Sequence, residues 1–229
     1  VMPDWNPAEI IGKKPKPLAL SLYKELITDH VWSLQRKDSG FHDVSSSHLL
    51  TNFFGTPYVD LRVDFNSWVP KNLDYNTSKK LVNYYLKSFK NNPDFHDKVE
   101  FKIIFTCWTF NTKNKLKKLL GKIFIDKEIK KIEKELKKIN ILAQQNFKNN
   151  LLSLENLKKK QKRIDKANMY WADKIYWLVE DCKKYGTYAF SYLARCGFIA
   201  NDLLNSLSET KVINNQTKIN FLQSIQTLS

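Results

Sequence analysis

The sequence predicts an α+β protein that is predominantly α: a helix-rich body with an antiparallel helical hairpin, and a small two- to three-stranded antiparallel sheet in the N-terminal half. Three observations carry this. All seven prolines fall at or before Pro93, so long helices are confined to the second part of the chain. There, Ile129, Ile132, Leu136 and Ile139 step by 3, 4 and 3, the spacing of a coiled-coil seam. In the first part, β-prone runs flank a Gly55-Thr56-Pro57 turn. With 42% hydrophobic residues, the chain has material for a packed core.

In order, residues 1–17 read as an extended, proline-rich arm, because Pro3, Pro7, Pro15 and Pro17 each remove a backbone donor. Leu18, Leu22, Leu26 and Ile27 recur at helical spacing and predict one amphipathic helix over 18–34. Leu49–Phe54 and Tyr58–Phe65 read as a hairpin. In its second strand, charged Asp60, Arg62 and Asp64 alternate with Val59, Leu61, Val63 and Phe65. A helix capped by Asn76 or Thr77 runs to about Lys90, with Leu81, Tyr84, Tyr85 and Phe89 inward. The β-branched and aromatic run Val99–Phe110 reads as a third strand.

A short helix is expected over 111–121 and a longer one from Asp126. The seam blurs at Gln144–Asn150, so Asn149-Asn150 is the preferred turn of the hairpin, with a second helix over 151–166; one continuous helix is the alternative. Helices over 169–184, 187–207 and 216–228 follow. The stretch 187–207 is apolar almost all round and is expected to be the most buried. The regions divide as arm (1–17), mixed helix and strand (18–111) and helical (112–229), the last two forming one domain.

The net charge is +15, and residues 113–166 hold 18 basic against 6 acidic residues, a balance of +12. Such a stripe suits either a solvated helix surface or an anionic polymer or membrane. Three cysteines without a CxxC pair point to reduced thiols and a cytoplasmic protein. No HxxxH or Cys/His spacing predicts a metal site.

Candidate chemistry is sparse. Asp4 and Asn6 flank Trp5, near enough to share a ligand or cation, or to bond local backbone, and Glu9 adds a second carboxylate. Arg62, between Asp60 and Asp64, is suited to carboxylate or phosphate, or to an ion-pair ladder. Arg195 interrupts an apolar helix and needs a partner, either Asp202 or Glu180, or an anionic substrate. His42 and His96 stand beside Asp43 and Asp97, as surface groups or as bases. No catalytic residue is assigned.

The arm segment Asn6-Pro7-Ala8-Glu9, followed by Pro17-Leu18 and Ser21-Leu22-Tyr23, resembles the stretch after the ATP-grasp domain of phosphoenolpyruvate synthase-like phosphotransferases, including rifampin phosphotransferases. Lys16 stands where their pattern has Thr. Five blocks are similar to the phosphoenolpyruvate/pyruvate-binding subgroup of that family: residues 2–12, 18–29, 57–67, 96–107 and 185–200. The resemblance implies the central region of a multidomain enzyme in which an ATP-grasp domain binds ATP and Mg2+ and a mobile domain carries phosphohistidine. The carrier signature is not here: no Gly-Gly precedes Ser47-His48.

This piece would then bind no cofactor itself, show no turnover alone, shape the side that takes a small-molecule phosphoryl acceptor, and dock other domains of the same polypeptide. No nucleic acid or membrane partner follows from it. The alternative is a basic helical module that grips nucleic acid or anionic membrane.

Overall fold

The structure, a computed structural model, describes residues 1–3 and 5–225. It is predominantly helical with one small sheet, as the composition and periodicity imply.

The arm departs from its extended expectation. Strand β1 (Met2–Pro3) is followed by helix α1 (Trp5–Ile10). Pro7 lies in the first turn of α1, where its missing N–H would have had no helical acceptor. The prolines therefore permit a short helix, which Ile11 N closes by donating to Pro7 O at 2.8 Å. The single helix expected over 18–34 is instead α2 (Pro17–Tyr23), a π-helical turn (Lys24–Thr28), and then α3 (Val31–Asp38) after a break at Asp29 and His30.

The hairpin forms, but shorter than expected. Strand β2 (Leu50–Phe53) pairs antiparallel with β3 (Thr56–Val59) across Phe54-Gly55. Both turn residues have positive φ, 51° and 83°, the geometry whose twist matches paired strands. The sheet order is β1-β3-β2, with Met2 opposite Val59. Asp60 to Phe65 is not strand. Asp60 turns the chain, and its carboxylate accepts Arg62 N at 2.9 Å as the cap of helix α4 (Leu61–Asn66). The alternation of charged and apolar residues there has no sheet to act on.

The third strand comes from the arm, not from Val99–Phe110. That run forms a one-turn helix α6 (Val99–Lys102) and then irregular backbone. Its polar groups are met by side chains instead of a ladder. Phe105 N donates to the Tyr85 hydroxyl, while Trp108 N and Trp108 O bond the Asn140 carboxamide at 3.0 and 2.8 Å.

Helix α5 (Tyr75–Asn91) is capped by Asp74, whose carboxylate accepts Thr77 N, and it buries Leu81, Val82 and Tyr85. After α7 (Thr112–Leu120) comes α8 (Asp126–Lys166), one unbroken helix of 41 residues. The expected turn at Asn149-Asn150 is absent. The hairpin is real, but its turn lies at 167–170. Helix α9 (Trp171–Asp181), a second π-helical turn (Cys182–Thr187) and α10 (Tyr188–Glu209) return along α8 as one continuous path. Asp181 meets Lys160 at 3.1 Å, and the Tyr192 hydroxyl donates to Leu142 O at 2.9 Å. Gly186 does not end the helix: it lies inside the π turn, and a Cβ added there would stand 3.3 Å from Leu157.

Helix α11 (Asn215–Ser224) closes the described part; the end of the helix expected to reach Leu228 lies outside the described residues.

The main core gathers Phe41, Phe65, Trp68, Leu81 and Tyr85 from the first half with Leu116, Leu120, Ile132, Leu136 and Ile139 from the second. The first half of the α8 seam thus lies in the N-terminal core. Helix α10 is not the most buried: Phe190 is 70% and Phe198 40% exposed. Among the described residues, no helix is long and apolar enough to cross a membrane.

Candidate functional site

Trp68 follows α4 in a tight turn and is buried to 2% exposure. Two guanidinium groups stack on it. Arg36, from the last turn of α3, lies 4.2 Å from the ring centroid, and Arg195, from the middle of α10, lies 4.4 Å away. Each contact is a cation over the negative face of an indole. Both arginines are buried, so each requires an anionic partner. Arg36 Nη1 donates to Asp64 Oδ1 at 2.8 Å and also to the Ser67 hydroxyl. The α4 cap places Asp64 and Ser67 one turn apart for this.

Arg195 Nη1 is 2.5 Å from Glu100 Oε1 of α6. The pair is close but poorly aligned, so neither atom has a hydrogen-bond partner among the described residues. The partners expected from sequence are engaged elsewhere: Asp202 with the Cys107 thiol and Glu180 with Lys183. Asp64 is nearly enclosed, at 5% exposure. Burial pushes its carboxyl up from the ordinary range, against the pull of Arg36 beside it, and the nearby Glu100 pushes in the same upward direction.

This network forms the wall of a cleft of about 420 Å³. Its apolar sides include Trp32, Phe101, Phe190 and Phe198, with the Phe101 and Phe198 rings edge to face at 5.2 Å. Asn6, Gln35, His96 and Asp97 add polar groups. Asn6 Oδ1 accepts from the Tyr23 hydroxyl at 2.5 Å, which fixes the arm against α2. The volume falls within the range of small-molecule sites, and the lining combines an apolar body with a few placed charges.

Of the residues singled out from sequence, Asn6, Arg195 and His96 with its neighbour Asp97 meet in this cleft. Asp4 lies outside the described residues. Glu9 is exposed and does not line the cleft. Arg62 is mostly exposed and makes a two-pronged pair with Asp60, its own helix cap, at 3.0 and 3.3 Å. The cap interaction occupies it locally.

Arg36, Trp68 and Glu100 were missed. Their only sequence signal is an arginine one turn after Trp32 in an amphipathic helix, and an acid inside a β-prone run. His42 sits at a loop where burial lowers its pKa, away from this cleft. Cys107 is a core thiol, pushed up to about 12 by burial and by Asp202. Among the described residues no group of three His, Cys, Asp or Glu could hold a metal ion. The chain matches no protein-family model, no curated protein and no solved structure.

Proposed function

We propose that this chain is the acceptor-side region of a phosphoenolpyruvate synthase-like, ATP-dependent phosphotransferase, and that the Arg36–Trp68–Arg195 cleft holds the small-molecule acceptor. One observation carries the reading. The five blocks on which the family resemblance rests are dispersed over residues 2–200, and all five contribute to this one cleft: Met2, Asn6 and Ile10; Ile27; Val59 and Asp64; His96 to Phe101; Thr187 to Phe198. Of the three groups that name the cleft, Arg195 lies within these blocks, whereas Arg36 and Trp68 lie outside them.

Phosphoryl transfer asks a protein mainly for positioning and for positive charge near the transferred group. Arg195 supplies the charge. Its one carboxylate contact leaves N–H donors without a protein acceptor among the described residues. A carboxylate or phosphate on the acceptor would take them. The aromatic wall would hold an apolar body and exclude water. ATP and Mg2+ would be supplied by other domains of the full enzyme, in the cytoplasm.

The test is calorimetric titration of the purified chain with pyruvate, phosphoenolpyruvate and Mg-ATP. Binding of one of the two carboxylates is expected, weakened at least tenfold in Arg195→Met, with neither binding nor hydrolysis of ATP. ATP hydrolysis by the chain alone, or carboxylate binding unchanged in Arg195→Met, refutes the proposal.

A second reading, a module for anionic polymers or membranes, is favoured by the end of α8. There Lys158, Lys159, Lys162, Arg163 and Lys166 are exposed next to Tyr170 and Trp171, which are 84% and 79% exposed. Retention on RNA or anionic vesicles that falls steeply with salt would support it; no retention at low salt would remove it.

A further inference from the structure

The α8 seam does not stop where its apolar residues do. Ile129, Ile132, Leu136, Ile139 and Ala143 are followed in the same 3-4 register by Asn146, Asn150, Ser153, Leu157, Lys160 and Ile164. Three successive seam positions are therefore polar. A single buried asparagine in a seam commonly fixes register by pairing with a polar group on the facing helix. Asn146 does this, donating to the Tyr192 hydroxyl of α10 at 3.4 Å, but Asn150 donates only to Asn146 O of its own helix, and neither Asn150 nor Ser153 has a side-chain partner on α9 or α10 among the described residues.

Both line a cleft of about 1000 Å³ between α3 and the two arms of the hairpin, Asn150 from a buried position at 7% exposure.

A second, independent feature borders the same space. Two π-helical turns among the described residues pack on one another, and the second of them lines this cleft. Lys183 joins them, bridging Glu25 and Glu180 at 2.5 Å each. Widened turns of this kind cost helical regularity and concentrate at functional sites. The second turn brings Lys184 and Tyr185 to the cleft, and Tyr188 just beyond it donates its hydroxyl to Asp38 of α3 at 2.7 Å. Lys37 and Lys183 are neutralised by acids. Lys71 and Lys184 also line the cleft, and neither has a carboxylate partner among the described residues.

We propose that this cleft binds a phosphate monoester of a polyol or nucleoside, its hydroxyls read by Asn149, Asn150 and Ser153 and its phosphate held by Lys71 and Lys184. The Asn149 and Asn150 amides and the Ser153 hydroxyl all line the cleft and offer both donors and acceptors, which suits vicinal hydroxyls. Two ammonium groups without acids suit the dianion. The site is separate from the arginine–tryptophan cleft and stands or falls without it.

The experiment is an NMR titration of the 15N-labelled chain with glucose 6-phosphate and with AMP, and with glucose and inorganic phosphate as controls. One of the two esters is expected to shift the side-chain amides of Asn149 and Asn150 and the backbone of 182–187. Each control should bind at least tenfold more weakly. Lys71→Ala with Lys184→Ala should weaken ester binding at least tenfold without moving the thermal midpoint, and Asn150→Leu should abolish it. Arg195→Met should leave it unchanged, which separates this site from the other cleft. Absence of shifts with both esters at millimolar concentration, or shifts that survive the double lysine substitution, overturns the proposal.

Discussion

Replacing Asp64 by alanine should be among the most damaging single changes in the protein. Asp64 and Arg36 are both nearly enclosed, with side-chain exposures of 8% and 10%. The carboxylate is the acid that balances Arg36 in the wall beneath Trp68. Removing one member of a buried pair strands the other charge and typically costs about 3–5 kcal/mol. For a chain of this size, each kcal/mol lowers the thermal midpoint by about 2–4 °C, so a loss of roughly 6–20 °C is expected. The assay is thermal and urea unfolding followed by circular dichroism.

The double variant Arg36→Met with Asp64→Leu removes both charges and should recover most of the loss, because desolvation opposes a buried pair almost as strongly as attraction favours it. A loss below about 1 kcal/mol for Asp64→Ala, the range of exposed pairs, would refute the reasoning. So would a double variant no better than the single one.

Three further outcomes are expected. Gly40 has φ +101°, and a Cβ there would meet Leu142 and Ile139 at 3.1 and 3.3 Å, so Gly40→Ala should cost at least about 1–2 kcal/mol in urea unfolding. Cys107, with its thiol pushed up to about 12, should resist alkylation at pH 8 in the folded protein and react in denaturant, as mass mapping would read. Burial holds His42 below its usual 6.5, so the unfolded chain binds the extra proton first. The stability His42 contributes is whole above about pH 6.5 and is lost as pH falls through the window below it. Denaturation midpoints between pH 7 and 5 should fall less in His42→Gln than in the parent.

The helices of the second half were legible because their apolar residues keep one period. Ile129, Ile132, Leu136 and Ile139 sit where the 3-4 count puts them, all buried. The same count, carried past Ala143, predicts the unbroken helix. It was obscured because Asn146, Asn150 and Ser153 look like a turn when polarity is taken for exposure. The helix persists because asparagine is only mildly unfavourable inside a helix, and packing on α10 outweighs that small cost. The false strand over 99–110 has the opposite cause. Its β-branched residues are buried in irregular backbone, and Asn140 and Tyr85, distant in sequence, satisfy the peptide groups that a neighbouring strand would have met. Such compensation depends on tertiary contact and leaves no local pattern.

The site was legible only where chemistry broke a pattern. Arg195 stands out because an arginine inside an apolar helix must be paired. Arg36 does not, because at the end of an amphipathic helix it resembles any solvated cation. What makes Arg36 a site residue is Trp68, which lies 32 residues on and holds both guanidinium groups over its ring. Two guanidinium groups on one buried indole force two acids into the same interior, and Asp64 and Glu100 come from different elements to provide them. Of the two, Asp64 is aligned and hydrogen-bonded, so Arg36 is structural. Glu100 is close without alignment, so Arg195 is the cation proposed to exchange its partner for a ligand. That asymmetry separates scaffold from candidate contact in this wall, and it is a matter of angles, which no sequence pattern records.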